Sequence, residues 1–413
     1  MMTPVLTLPM AQFSSPGLKT TFDVLGTGNA MMVGGCVRAA VLGDARAYLD
    51  IDIATILLPQ DVMRRFEDAG IRAVPTGIDH GTVTVIPGPQ AFEITTLRRD
   101  VETDGRRAVV AFTESWEEDA QRRDFTMNTL LMDMDGQVFD PTGQGVADLR
   151  TGVVRFVGDA DTRIKEDALR ILRFFRFHAR YGKGAADVTG YQACVHNRLL
   201  LKTLSRERVT DEVLKLLLAP RAGAAISAMR EGNILEGLWQ KDWSENAFGL
   251  LQSVAVKLEV EHLDLVLLMY CMKPENADVL HQVCAEFFVL SNRQKKFLHD
   301  VLSCILKPAE TVKQTVYKYG RDVVVAATLL SNVFKSSIPD PAALEGAGIN
   351  VLRAPLLRLP VNARELMLML NLSEGKDLGN VLKKVESWWL ESDGVVDMQQ
   401  CVDYARQLIK TGM

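Results

Sequence analysis

Gly34-Gly35-Cys36-Val37-Arg38, followed twelve residues on by Asp50-Ile51-Asp52, is the stretch on which the fold turns. Successive side chains on a strand alternate faces, so Leu49-Asp50-Ile51-Asp52-Ile53-Ala54 reads as a half-buried strand that projects Asp50 and Asp52 together. Ala30-Met31-Met32-Val33 reads as a short buried strand, and Cys36 to Leu42 as a helix whose first N–H groups point at an anion. Gly34-Gly35 lets the backbone approach a ligand closely, and Arg38 falls in the first helical turn. Two carboxylates on one face suit Mg²⁺, which takes oxygen ligands from one or two carboxylates plus substrate phosphates. An isolated D-x-D reads sooner as a solvated strand face; the glycine turn beside it shifts the balance toward metal and phosphate.

Working outward, short strands and helices alternate up to about residue 150. Pro59 to Ala69 is predicted helical, and Ile71 to Val74, Thr82 to Ile86 and Ala91 to Thr95 are predicted strands. Beyond Asp161 amphipathic helices take over, from Ile164 to Tyr181 through Gly379 to Trp389. The fold class expected is α+β, a mixed sheet with helices followed by an all-α remainder. Boundaries are expected near Asn233 to Asp242 and, where Pro339, Pro341, Pro355 and Pro360 collect, between Ser336 and Pro360.

Composition narrows the class only loosely. The chain has 413 residues, 47% hydrophobic and 24% charged, with a net charge of −5. That suits about two to four ordinary domains, and any nucleic acid must find a local basic patch. Six cysteines without C-x-x-C pairs suggest reduced thiols, a cytoplasmic chain and no zinc framework. Neither a signal peptide nor a membrane span is expected.

Glu93, in Phe92-Glu93-Ile94-Thr95, is a third acidic strand position able to complete the metal site from a neighbouring strand, or else an exposed glutamate. Arg98 to Asp124 reads as a long charged loop over the site or a surface excursion. After it, Arg123 is placed to reach a triphosphate, and Asp124 and Asn128 a ribose hydroxyl. His80 reads as a turn residue, and His262, His281 and His299-Asp300 make no persuasive phosphohydrolase pattern.

Along the predicted helix from Arg163 to Arg180, Arg170, Arg173 and Arg176 form a ridge led by Asp167, while Ile164, Ala168, Ile171, Leu172 and Phe175 pack. A salt-bridged surface helix gives the same pattern. The sharper alternative is that an accepting aspartate and a donating arginine match cytosine and adenine. They mismatch uracil and guanine, where unpaired buried groups cost about 1–3 kcal/mol each.

With these motifs in order, Gly34 to Arg38 with Asp50 and Asp52, Arg122-Arg123-Asp124 with Asn128, Glu166-Asp167-Ala168-Leu169-Arg170, and Ser205-Arg206-Glu207-Arg208 with Glu212, the chain resembles the class II tRNA nucleotidyltransferases, or CCA-adding enzymes, of the polymerase β-type nucleotidyltransferase and poly(A) polymerase group. The likeness covers residues 30 to about 215 closely and the helical remainder loosely. It implies a nucleotidyltransferase head over 1–150, a helical neck over 151–240 carrying the base-reading helix, a body over 241–335 and a tRNA-binding tail over 336–413. It implies Mg²⁺ on Asp50 and Asp52, with Glu93 as a further catalytic acid. Gly35, Arg38 and Arg123 would contact the triphosphate and nucleotide, Asp124 and Asn128 the ribose, Asp167 and Arg170 the base, and Arg173 and Arg176 the nucleotide again. The implied reaction joins C, C and A from CTP and ATP to the 3′ end of tRNA. A poly(A) polymerase, a CC-only enzyme and a catalytically silent RNA-binding scaffold are the other expectations to weigh. The chain departs from the family pattern at Ala39, at Ala363 and in a longer connection from Asp44 to Leu49.

Overall fold

The computed structural model describes residues 2–10, 13–44, 50–104, 107–307, 311–335 and 340–411. They form two compact units, Met1–Glu236 and Gly237–Met413. The first unit holds all the strands of the described residues: β1 Leu6–Thr7, β2 Ala30–Val33, β3 Asp52–Thr55, β4 Arg72–Gly77, β5 Thr82–Ile86, β6 Phe92–Thr96, β7 Arg98–Asp104, β8 Arg107–Phe112, β9 Leu131–Met132 and β10 Gln137–Phe139. Its helices are α1 Pro16–Leu25, α2 Gly35–Leu42, α3 Pro59–Asp68, α4 Trp116–Gln121, α5 Gly145–Thr151, α6 Ala160–Glu166, α7 Leu169–Tyr181, α8 Val188–His196, α9 Arg206–Leu217 and α10 Ala222–Glu231. The mixed sheet runs β1-β10-β9-β2-β3-β6-β5-β4, with β7 and β8 as a separate hairpin. The expected α+β class is the one found.

The sheet brings the site together through register. β2 and β3 pair antiparallel with Val33 opposite Asp52, so the Gly34-Gly35 turn leaves the sheet level with that carboxylate. β3 and β6 pair in parallel with Asp52 beside Glu93, and neighbours at the same level of adjacent strands share a face. Beneath this row, α3 packs on β4 and β5 and touches α1. Its Val62 and Phe66 are buried, as are Leu18 and Leu25 of α1 and Val83, Phe92 and Ile94 of the sheet. Phe66 alone is worth about 1.5–3 kcal/mol of apolar transfer.

Three expectations are corrected. The strand around the aspartates begins at Asp52, leaving exposed Asp50 just before it, and residues 45–49 of the expected longer connection lie outside the described residues. The stretch Arg98 to Asp124 is no open loop, for it pairs as β7 and β8 and then forms α4, whose Ser115 N-cap accepts from the Glu118 N–H. The helix expected over Ile164–Tyr181 is broken at Asp167, which adopts φ −152 and ψ 103 between α6 and α7.

The second unit is helical throughout its described residues. Its Leu263–Met272 helix is buried from Leu265 to Met272, the mark of a central rather than a surface helix. Toward the C-terminus Val361, Leu366, Leu378, Val381, Val385 and Trp389 pack with Cys401, Val402 and Ala405. The proline-rich stretch read as a boundary carries the helix Pro341–Arg353, started by Asp340, whose carboxylate accepts from two backbone N–H groups, and by Pro341 at its first turn. No described helix is long and apolar enough to cross a membrane.

Candidate active site

Gly34 takes φ +72, a conformation open to glycine, and a Cβ there would lie 3.3 Å from Asp52 Oδ2. α2 starts at the next residue, so its free N–H groups open beside the Asp52 carboxylate. Burial together with the charges of Asp50 and Glu93 raises the Asp52 carboxyl above its ordinary value, with Arg38 and Arg123 opposing. Cys36 contributes no charge: burial and Asp52 push its thiol up to about 12, and it donates to Val33 O at 3.1 Å.

The donor set fits a divalent cation whose shell is completed by a substrate. Like charges crowd Asp52, which bonds no counter-charge among the described residues, and Gly34 places no side chain at its Oδ2. No cluster of three or more acidic, histidine or cysteine ligands surrounds a single point among the described residues. Asp50 and Asp52 could supply two hard oxygen ligands, and phosphate oxygens would supply others.

A hydrogen-bonded network runs from Arg38 to the paired charges of Asp124, Arg173, Arg176 and Glu212. Arg38 Nη1 donates to Asn128 Oδ1 at 2.6 Å, and Asn128 Nδ2 donates to Asp124 Oδ1 at 2.7 Å. Asp124 Oδ2 receives Arg173 Nη2 at 2.6 Å and Nε at 2.7 Å, and its Oδ1 also receives the Phe125 N–H. Glu212 of α9 takes Arg176 Nε at 2.5 Å and lies 3.7 Å from Arg173 Nη1. Burial alone would raise the Asp124 carboxyl, but Arg173, Asn128 and the Phe125 N–H hold it below the usual carboxylate range. The phenol of Tyr181 is likewise raised by burial and brought down by Arg38 and Arg180.

Arg123 is held by Asp119 of α4 at 2.8 Å and donates to Asn128 O at 3.0 Å, while Arg122 bonds the other Asp119 oxygen at 2.9 Å. Asp119 is buried, and the two guanidiniums outweigh that burial to keep its carboxyl low. Sequence reading missed Asp119. Its spacing of three and four residues from Arg122 and Arg123 on a capped helix was the available signal.

The two residues expected to read the base stand apart in their bonding. Asp167 Oδ2 accepts Arg208 Nη2 at 2.8 Å and its Oδ1 accepts the Leu169 N–H at 3.1 Å. Arg170 is tied to Glu166 at 2.7 Å, to Arg163 O at 2.9 Å and to Arg122 O at 2.9 Å. These bonds use one acceptor position on each Asp167 oxygen and three of the five Arg170 N–H groups. Arg173 and Arg176, expected to touch a nucleotide directly, are already bonded within the chain, as are Asp124 and Asn128.

A CCA-adding enzyme of Streptococcus suis is 32% identical over 389 residues, spanning 92% of this chain and 93% of that one. The chain belongs to the CCA-adding enzyme family. Within it, residues 30–155 match the poly A polymerase head domain, and residues 191–240 match a probable RNA and SrmB-binding site of polymerase A. The crystal structure of the Bacillus stearothermophilus CCA-adding enzyme in complex with CTP superimposes with a TM-score of 0.74 at 26% identity, covering 96% of this chain and 98% of that one. The mitochondrial CCA tRNA nucleotidyltransferase 1 of Homo sapiens is 42% identical over 206 residues, 49% of this chain and 47% of that protein. The chain thus spans about half the length of such mitochondrial relatives. Nucleotidyltransferases of this family generally use a divalent metal.

Proposed function

We propose that this CCA-adding family member adds C, C and A to the 3′ end of tRNA from CTP and ATP. The observation that carries the reading is the meeting of opposite charges at Asp52, where Asp50 and Glu93 act with one sign and Arg38 and Arg123 with the other, Glu93 standing level with Asp52 on the neighbouring strand. A nucleoside triphosphate with its cation is the ligand that satisfies both poles at once. CTP bound to the Bacillus stearothermophilus relative supports the same choice of substrate.

In this reading Asp50 and Asp52 would hold Mg²⁺, which would supply charge neutralisation for displacement at phosphorus. The first turn of α2 at Gly35, with Arg38 and Arg123, binds the triphosphate. Asp124 and Asn128 hold the ribose side, and Arg173 and Arg176 keep that pair in place. Asp167 accepts from, and Arg170 donates to, the incoming base. The tRNA 3′-hydroxyl gives its proton to one of the Asp50 and Asp52 carboxylates as its oxygen bonds the α-phosphorus, the bond from the α-phosphorus to the oxygen bridging to the β-phosphorus breaks, and pyrophosphate leaves. Glu93, level with Asp52, raises the negative potential that draws the cation. Residues 1–150 act as head and 151–240 as neck, with 241–335 and 336–413 as the body and tail along which the tRNA lies, in the cytoplasm.

The test supplies tRNA trimmed of its 3′ end with CTP, ATP or both and sequences the products. CC with CTP alone and CCA with both is expected. Pure A tails would indicate a poly(A) polymerase, and no Mg²⁺-dependent incorporation would indicate a silent RNA-binding scaffold.

A further inference from the structure

Three of the arginines assigned to the nucleotide converge on one aromatic ring. The guanidinium carbons of Arg38, Arg173 and Arg176 lie 5.2, 5.4 and 4.6 Å from the centroid of Phe177. Phe177 is only 4% exposed, on the α7 helix that also carries Arg170, and its ring stands 5.2 Å from Phe125 and 5.7 Å from Tyr181. Sequence reading did not single it out.

Like charges so gathered repel, and something must hold them. Asp124 and Glu212 hold Arg173 and Arg176. Arg38 differs, for the bonds it makes there go to neutral groups, the Asn128 amide oxygen and the Tyr181 phenol, and its Nε is buried without a hydrogen-bond partner. What faces its guanidinium instead is aromatic: Phe177 at 5.2 Å and Tyr181 at 5.5 Å. The face of an aromatic ring carries negative potential that attracts a cation, more strongly when water is excluded, and it does so without cancelling the charge as a carboxylate would.

We propose that Phe177 is a positioning residue that gathers Arg38, Arg173 and Arg176 into one preorganised cationic surface and so sets affinity for the nucleotide whatever its base. The proposal rests on the nucleotide-binding reading of those arginines. A ring at this position fixes the spacing between the base-reading helix α7 and the phosphate-facing helix α2 while leaving Arg38 its charge for an anion.

The experiment measures KM for CTP and ATP, KM for trimmed tRNA, and the preference for CTP over UTP in Phe177→Leu, Phe177→Tyr, Tyr181→Leu and Arg38→Ala, with thermal melts of each. Phe177→Leu keeps apolar bulk and removes the ring face; KM for CTP and ATP should rise together by about tenfold. Its KM for tRNA and its C-over-U preference should not follow, and Phe177→Tyr should restore most of the nucleotide affinity. A folded Phe177→Leu with unaltered nucleotide KM overturns the proposal, and so does a folded Phe177→Tyr as impaired as Leu, since packing rather than the ring face would then matter. If Phe177→Leu does not melt cooperatively, Tyr181→Leu decides, with a rise of about threefold expected and no rise contradicting. Arg38→Ala separates the two levels. Unchanged nucleotide KM there removes the underlying site reading, whereas a raised KM in Arg38→Ala with none in Phe177→Leu removes the positioning role alone.

Discussion

Asp52 and Asp124 lie in the same half of the chain, and burial pushes both carboxyls upward, yet they end in opposite electrostatic states. Asp52 has Asp50 and Glu93 as neighbours and finishes raised. Asp124 has Arg173, Asn128 and a backbone N–H and finishes lowered. One acid is completed by the protein, and in the proposed reading the other is completed by a ligand. On that reading the difference separates scaffold from reactive pole: a bonded network fixes where Arg173 and Arg176 stand, and the acidic row would keep the free energy of neutralisation for the cation and triphosphate.

The largest expected effect follows at the open pole. Asp52→Ala should lower nucleotide incorporation about a thousandfold or more, because the cation loses a ligand worth several kcal/mol in the transition state. Melts in chelator should show no loss of stability, since substituting Asp52 removes a like charge from a crowded row. A marked fall in melting temperature would mean that Asp52 is a structural acid like Asp124.

The closed pole should answer in the reverse manner. Asp124→Asn leaves the Arg173 guanidinium without its carboxylate in a buried place, and urea unfolding should show a loss of about 3 kcal/mol. No loss would dissolve the contrast between the poles. Between them, Arg170→Ala should relax the preference for CTP over UTP by about tenfold, measured on trimmed tRNA, because one donor is worth about 1–3 kcal/mol of discrimination. Retained selectivity would remove Arg170 from base choice.

The smallest effect is in acid. A carboxyl held low in the folded state stabilises it fully above the unfolded value of about 3.9, and that contribution is lost as pH falls through the lower folded value. Melts between pH 5 and pH 3 should therefore fall less steeply in Asp124→Asn than in the unaltered chain. Asp52, raised on folding, has the opposite sign, and protonating it relieves repulsion.

Much of the reactive pole was legible because it is local. Thr82–Ile86 and Phe92–Thr96 follow the strand pattern that brings Glu93 beside Asp52, but alternation carried the strand too far, for Asp50 stands before β3 rather than on it. The closed pole was less legible because its partners are remote in sequence. Nothing near Arg173 announces Asp124, and nothing near Arg38 announces Asn128 or Phe177. The break at Asp167 carries neither glycine nor proline; it is held by Arg208 from α9, a contact that periodicity cannot see. The charged run after Leu97 hid a hairpin because strand pairing there is not marked by an apolar alternation in β7.

The most direct test of the open pole is equilibrium binding of Mn²⁺, as a probe for the divalent cation, to the full chain with and without CTP. Weak binding alone, tightened at least tenfold by CTP and lost in Asp52→Ala, is the expected result. Tight Mn²⁺ binding without nucleotide, or binding that Asp52→Ala leaves intact, would contradict it.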